Sequence, residues 1–395
     1  MKILQVNKFL YQQGGAETYL FDLTKVLRQN GHEVVYFSQK NLKNIENTNN
    51  DLFLSPINLQ KFSFSSLVKI GRIFWSFEAS KKIIKILQKE NPDLVHIHNI
   101  YHQISPSILS AIRKQGIPIV MTVHDWKLIR HDYIYRADNK VVKNKNSSLV
   151  DALLKLEYNF HKLINVYKKN IDLFIAPSKL VKDELVKNGF EANKIIVQPY
   201  CIDIDGYKPN NLAPENYILF FGRLHESKGA DTLINAFAKI RNKTIKLKIA
   251  GSGPQEKELK ELAKNLNLSD RVEFLGQKQK NELIGLIQAS MFTVMPSRFH
   301  ETLGLSALET FACGRTVIAS KAGALTEFIN ANNGLLVEVD DVFGFSQAIS
   351  SLIDGPEIIT KLGINARITS EAYDPKSHYD KIIKIYQGLI KNKNA

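Results

Sequence analysis

Short apolar runs recur along the chain and alternate with stretches of helix length. In the first half the runs are Ile3–Val6, Val34–Ser38, Leu94–His98, Ile119–His124, Leu173–Pro177 and Ile195–Gln198. In the second half they are Ile218–Phe221, Leu247–Ala250, Val272–Leu275, Phe292–Met295, Val317–Ala319 and Leu335–Val337. Most are largely apolar from end to end, the pattern of parallel strands buried on both faces. With helix-length spacers between them they read as βαβ units, hence an α/β class.

Two such series predict two doubly wound domains, over residues 1–205 and 206–373. The stretch Tyr200–Pro214, rich in Pro, Asn, Asp and Gly and poor in periodicity, marks the linker. A last helix over 374–395 carries Tyr379, Ile382, Ile383, Tyr386 and Ile390 at helical spacing. Two inserts interrupt the first series. In Lys61–Phe77, Leu67, Ile70, Phe74 and Phe77 share a helical spacing with Lys69 and Arg72 between them and Trp75 beside them. That pattern suits an interfacial helix against an anionic membrane, and equally an amphipathic core helix. Trp126–Lys169 mixes aromatics with Lys and Asn after a strand end, where substrate loops of α/β folds sit.

Composition narrows the classes. The hydrophobic fraction is 44% and the charged fraction 23%, so 395 residues can bury sizeable cores. Cys201 and Cys313, the two cysteines, have no metal-ligand spacing. No disulfide framework or zinc site is expected, and a reducing, cytoplasmic compartment fits. No signal peptide or run of transmembrane length is read. The net charge of +14 lies mostly in residues 1–205, at +10 against +4 for the rest. Such a surplus can meet phosphate, an anionic membrane or nucleic acid, or be a solvated face.

Five features carry candidate chemistry. Gly14-Gly15-Ala16-Glu17 opens a helix after the first strand, where free amides can hold phosphate; a plain turn with a first-turn acid is the alternative. His124 ends a strand at the carboxyl edge, where open α/β sheets bind ligands, and can donate to a sugar hydroxyl. His96 and His98 alternate on the neighbouring strand without a carboxylate at ligand spacing, so no metal site is expected. Phe221-Gly222-Arg223-Leu224 followed by Lys228-Gly229 places two cations on one strand-to-helix loop, an anion clamp. Gly251-Ser252-Gly253-Pro254 is a second glycine turn, and Glu256 denies it the third glycine of a dinucleotide fingerprint. After Phe292–Met295, Glu301 and Glu309 stand eight apart around a helix expected to begin near Thr302. Each can accept bonds from vicinal hydroxyls, while the Leu303 and Gly304 amides address a diphosphate.

In this order the motifs resemble the family-4 retaining glycosyltransferases of GT-B fold. The resemblance runs from Lys2 to the final helix and is most specific over Pro296–Ser320. It implies two Rossmann-like domains facing a central cleft, with the last helix packing back on the first. It also implies a nucleotide diphosphate sugar as donor, with no metal and no cofactor. The roles implied are the Gly15 amide, beside Gly14, on the donor phosphate and His124 near the 6-position of the donor sugar. Arg223 and Lys228 would meet the diphosphate, with Gly222, Gly251 and Gly253 in the turns nearby. Glu301 would hold sugar hydroxyls, with Thr302, Leu303 and Gly304 beside it, and Glu309 the ribose. Asn99–Asp125 resembles members that build bacterial capsule or lipopolysaccharide chains. A saccharide or lipid-linked saccharide acceptor at the inner face of the cytoplasmic membrane is therefore implied. Asp203-Ile204-Asp205 has the form of a metal motif but lies in the linker. Two other readings stay open: a nucleotide-sugar 2-epimerase of the same fold, which needs no acceptor, and a non-catalytic membrane or nucleic-acid binder. The anion clamp in the less basic half argues against nucleic acid.

Overall fold

The computed structural model describes residues 1–46, 49–56, 71–131, 133, 135–137, 148–210 and 213–394. The chain divides into two units. Unit 1 comprises Met1–Ile134, Lys143–Cys201 and Pro375–Ala395, and unit 2 comprises Tyr135–Val142 and Ile202–Asp374.

Unit 1 is built on strands β1 (Lys2–Val6), β2 (Glu33–Phe37), β3 (Leu94–Ile97), β4 (Ile119–Thr122), β5 (Leu173–Ala176) and β6 (Ile195–Val197). They form one sheet in the order β2-β1-β3-β4-β5-β6, every pairing parallel. Its strand order reverses between β1 and β3, so the loops leaving those strands frame the ligand edge. β1, β3 and β4 are buried almost throughout, which is why each reads as a largely apolar run. The helix Pro375–Asn394 belongs to this unit. It buries Ile382 and Tyr386, and the Tyr386 hydroxyl lies 2.7 Å from His96 Nδ1.

Unit 2 holds β7 (Tyr217–Phe221), β8 (Lys246–Ala250), β9 (Val272–Gly276), β10 (Thr293–Met295), β11 (Val317–Ser320) and β12 (Gly334–Val337). The order β12-β11-β10-β7-β8-β9 is again all parallel. Renumbered from β7 it is the dinucleotide-fold order, with its reversal between β7 and β10. The core joins Ile218, Phe220, Leu247, Ile249, Phe292 and Val294 of the sheet to Leu233, Phe237, Phe345 and Ile349 of the covering helices. The loops that leave β7 and β10 carry Arg223, Lys228 and Glu301, so topology alone brings them to one edge.

Three sequence expectations need correction. Tyr135, Arg136 and Ala137 cluster with unit 2, although they lie inside the first series of strands. β4 stops at Thr122, and His124 lies in the loop beyond it. The helix expected near Thr302 begins at Leu305, because Gly304 takes the N-cap position with φ +100°. Residues 61–70 of the insert read as an interfacial helix lie outside the described residues. Of its remainder, residues 71–74 form a helical turn, Ile73 is buried and Phe77 is exposed. No described helix is long and apolar enough to cross a membrane.

Candidate active site

In unit 2 the loop leaving β7 runs through Gly222 and Arg223 to a single 3-10 turn, Glu226–Lys228, before the helix Ala230–Ala238. The loop leaving β10 runs from Pro296 to Gly304. The two meet at an ion pair, with Lys228 Nζ donating to Glu301 Oε1 at 2.6 Å. The Ser297 hydroxyl donates to the same oxygen at 2.7 Å. Burial would raise the Glu301 carboxyl, but Lys228 and the Ser297 hydrogen bond outweigh it and hold its pKa below the ordinary glutamate value. Ser297 was not singled out from the sequence, although its place next to Arg298 in the strongest motif was visible.

Thr302, Leu303 and Gly304 lead from Glu301 to the helix Leu305–Ala312. The amides of Leu303, Gly304, Leu305 and Ser306 make no hydrogen bond among the described residues. They stand at the start of the helix Leu305–Ala312, where the backbone dipoles favour negative charge. The later helix start thus adds Leu305 and Ser306 to the two amides expected. Arg223 is exposed, and its guanidinium makes no ion pair or hydrogen bond among the described residues. An unspent guanidinium, an ammonium and four free amides suit a polyanion.

Glu309 lies one turn into that helix, half-buried, and accepts a hydrogen bond from the Tyr207 hydroxyl at 2.9 Å. Tyr207 sits in the linker and carried no sequence signal. Gly251 and Gly253 have a purpose in packing. The Gly222–Leu224 backbone lies directly against them, so that a Cβ on Gly251 would strike the Gly222 carbonyl and one on Gly253 the Leu224 carbonyl. Leu224 N–H donates to the Ser252 carbonyl at 2.9 Å and locks the two turns together.

In unit 1, Gly14 caps the helix Gly15–Gln29, and both Gly14 and Gly15 are exposed. Glu17 folds back into the protein, is 3% exposed, and accepts from Asn7 Nδ2 at 2.9 Å. Burial raises its pKa, against the Asn7 hydrogen bond and the positive charge of Lys8. Asn7 Oδ1 in turn accepts from Asn99 N–H at 3.0 Å, so the loops after β1 and β3 are tied to the helix start.

His124 is engaged on both ring nitrogens. Its Nε2 lies 2.8 Å from His98 Nδ1 and its Nδ1 2.8 Å from the Tyr200 hydroxyl. His98 Nε2 lies 2.5 Å from Gln5 Oε1. With Gln5 Oε1 as the terminal acceptor, His98 donates from Nε2 and His124 donates from its own Nε2 to His98. Tyr200 then donates to His124 Nδ1. Burial, with Lys8 adding to it, lowers the His124 pKa to about 3, so the ring is neutral at pH 7. Both ring nitrogens are taken in this arrangement, so an outward contact of the ring requires Tyr200 or His98 to release it.

Residues 205–369 match the family described as Glycosyl transferases group 1, and residues 13–205 match Glycosyltransferase Family 4. An uncharacterized glycosyltransferase of Methanocaldococcus jannaschii is 27% identical over 98% of this chain and 99% of its own. Among solved structures, sucrose-phosphate synthase from Thermosynechococcus elongatus superposes with a TM-score of 0.78 at 21% identity, covering 99% of each chain. HepE from Anabaena in complex with UDP-glucose does so with a TM-score of 0.74 at 20% identity, over 98% of this chain and 100% of that one. Two glycosyltransferase family models, over residues 13–205 and 205–369, together with two parallel sheets of GT-B type, support a group 1 glycosyltransferase.

Proposed function

We propose that the chain is a retaining, metal-independent hexosyltransferase that takes its sugar from a nucleotide diphosphate donor. The carrying observation is the Lys228–Glu301 pair at 2.6 Å, followed by four amides that have no acceptor among the described residues. As the bond from the anomeric carbon to the diphosphate breaks, negative charge grows on the departing phosphate. Arg223, Lys228 and the amides of Leu303–Ser306 are donors already in place for that charge, the role a divalent cation has elsewhere. Glu301 accepts from donor-sugar hydroxyls and Glu309 from the ribose. The Gly15 amide gives a further phosphate contact, and His124, once released, a contact to the sugar. The UDP-glucose bound to HepE, a protein of the same fold, supports a nucleotide-sugar donor.

The acceptor in this reading is a saccharide or lipid-linked saccharide of a bacterial surface polysaccharide, reached at the inner face of the cytoplasmic membrane. The basic surplus of residues 1–205 and the apolar spacing within 61–77 support that location. Flotation with anionic vesicles, with and without Phe74→Glu and Phe77→Glu, tests it.

A thermal-shift screen of UDP-, GDP- and ADP-sugars in EDTA tests the donor. A ligand at 100 times its dissociation constant adds about 2.7 kcal/mol of stability. Product analysis with and without acceptor saccharides then follows the sugar. Stabilisation by no nucleotide sugar, or activity only with added magnesium or manganese, would overturn the reading.

A further inference from the structure

Arg298 lies between Ser297 and the Glu301 loop, but its guanidinium faces inward. Its Nε donates to Asp340 Oδ1 at 2.5 Å. Nη1 donates to Asp231 Oδ1 at 2.9 Å and to the Glu226 carbonyl at 3.2 Å. Nη2 donates to Asp231 Oδ2 at 2.7 Å and to Thr232 Oγ1 at 2.9 Å. A guanidinium has five N–H groups, and here each has a partner. Arg298 therefore has no donor left for a ligand, unlike Arg223.

Asp340 is shared. Its Oδ2 accepts from Arg136 Nη2 at 3.1 Å, and Arg136 Nη1 lies 3.8 Å from Glu226. Burial would raise the Asp340 carboxyl, but Arg298, Thr232 and Arg136 outweigh it and lower its pKa. Arg136 comes from the insert after β4, yet its backbone pairs antiparallel with Phe299. His300 N–H donates to the Tyr135 carbonyl at 2.7 Å, and Ala137 N–H to the Arg298 carbonyl at 2.9 Å. Arg298 N–H donates to the Ser227 carbonyl at 2.8 Å. Thus the residue before Lys228 and the residues just before Glu301 are fastened to one another and to Asp340.

We propose that Arg298 and Arg136, sharing Asp340, are positioning residues that set the Lys228–Glu301 pair, with Arg136 closing the network from the insert. Arg298 directs its donors to Glu226, Asp231, Thr232 and Asp340, and Arg136 reaches Asp340 and Glu226. The catalytic consequence rests on the donor reading of Lys228 and Glu301, whereas the geometric consequence does not. A misplacement of about 1 Å in a site of this kind costs up to about 100-fold in rate.

The test uses the full chain without ligand first. Carboxyl NMR, with the Glu301 signal assigned through Glu301→Gln, follows its titration in the wild type, Arg136→Ala, Arg136→Lys and Asp340→Asn. Loosening the pair should move the Glu301 pKa up toward the ordinary glutamate value in Arg136→Ala and Asp340→Asn. Arg136→Lys should restore part of the depression. Turnover of UDP-glucose should then fall by about 10-fold or more in Arg136→Ala, with UDP affinity within about two-fold of wild type. A Glu301 titration unchanged in both Arg136→Ala and Asp340→Asn overturns the proposal, even if thermal stability drops. A shifted Glu301 in a protein that binds no UDP-glucose leaves the positioning intact and counts against the donor reading.

Discussion

Lys228 Nζ and Glu301 Oε1 approach to 2.6 Å across the two loops that leave β7 and β10. The pair holds Glu301 below the ordinary glutamate pKa despite its burial. A carboxyl with a depressed native pKa adds stability above its unfolded pKa, and that stability is lost as pH falls through the native value. Unfolding free energy should therefore decline as the solution is acidified below the ordinary glutamate range. In Glu301→Gln that part of the slope should vanish. Urea titrations of both proteins at a series of acidic pH values measure it, and equal slopes would remove Glu301 from the linkage.

Glu309 accepts from Tyr207 at 2.9 Å, on the helix whose first amides make no hydrogen bond among the described residues. A carboxylate accepting from ribose hydroxyls contributes about 1.5–3 kcal/mol through charged hydrogen bonds. Glu309→Ala should weaken nucleoside diphosphate binding by about 10-fold or more, and Tyr207→Phe by less, since the carboxylate remains. Arg223→Ala should act on the transfer rate more than on nucleotide affinity, by about 100-fold for one lost charge-stabilising donor. Calorimetry with UDP and single-turnover rates separate the two effects. Unchanged affinity in Glu309→Ala would deny it the ribose.

The sheets were legible because strands buried on both faces carry no alternation to confuse with a helix. Ile218–Phe221 in the sequence is all but one residue of β7, and Leu247–Ala250 all but one of β8. The helix start at Leu305 was not legible. Thr302-Leu303-Gly304 has no periodicity, and only the left-handed backbone of Gly304 delays the first turn. The partners of His124 were hidden for another reason: Gln5, His98 and Tyr200 come from three distant segments that meet only once the sheet is assembled. Arg136 was hidden in the same way, 204 residues from the Asp340 it pairs with. Residues that hold a site from behind, such as Arg136 and Asp340, carry no local motif, because their partners are distant in sequence.

Gly323 has φ +68°, and a Cβ there would press on the backbone N and O of Glu301. Glu301 and Gly323 form a parallel bridge, with Ala324 N–H donating to the Glu301 carbonyl at 2.9 Å. Gly323→Ala should destabilise the protein by about 1–3 kcal/mol through the left-handed backbone and the clash. It should also lower turnover in the surviving folded fraction, because the strain falls on Glu301 itself. Chemical denaturation and initial rates normalised to folded protein check the two parts. A variant as stable and active as wild type would show that this approach of backbones is dispensable.

The His98–His124 pair makes the last prediction one of pH. Burial holds the His124 ring neutral, with a native pKa of about 3, and lowers His96 and His98 well below the usual imidazole range. The unfolded chain takes up these protons near the ordinary histidine value of about 6.5. Between those limits the unfolded state binds more protons, so stability rises with pH. One such neutral histidine loses about 1.4 kcal/mol per pH unit below 6.5, or about 2 kcal/mol at pH 5. His124→Asn should therefore unfold less steeply with acid between pH 7 and 5 than the wild type, even if it is less stable at pH 7. The turnover rate, by the same token, should show no ionisation of His124 between pH 5 and 8, since its proton count does not change there. A wild-type stability that is flat from pH 7 to pH 5, or a His124 signal titrating near 6.5 by NMR, would show that the ring is open to solvent and not locked between His98 and Tyr200.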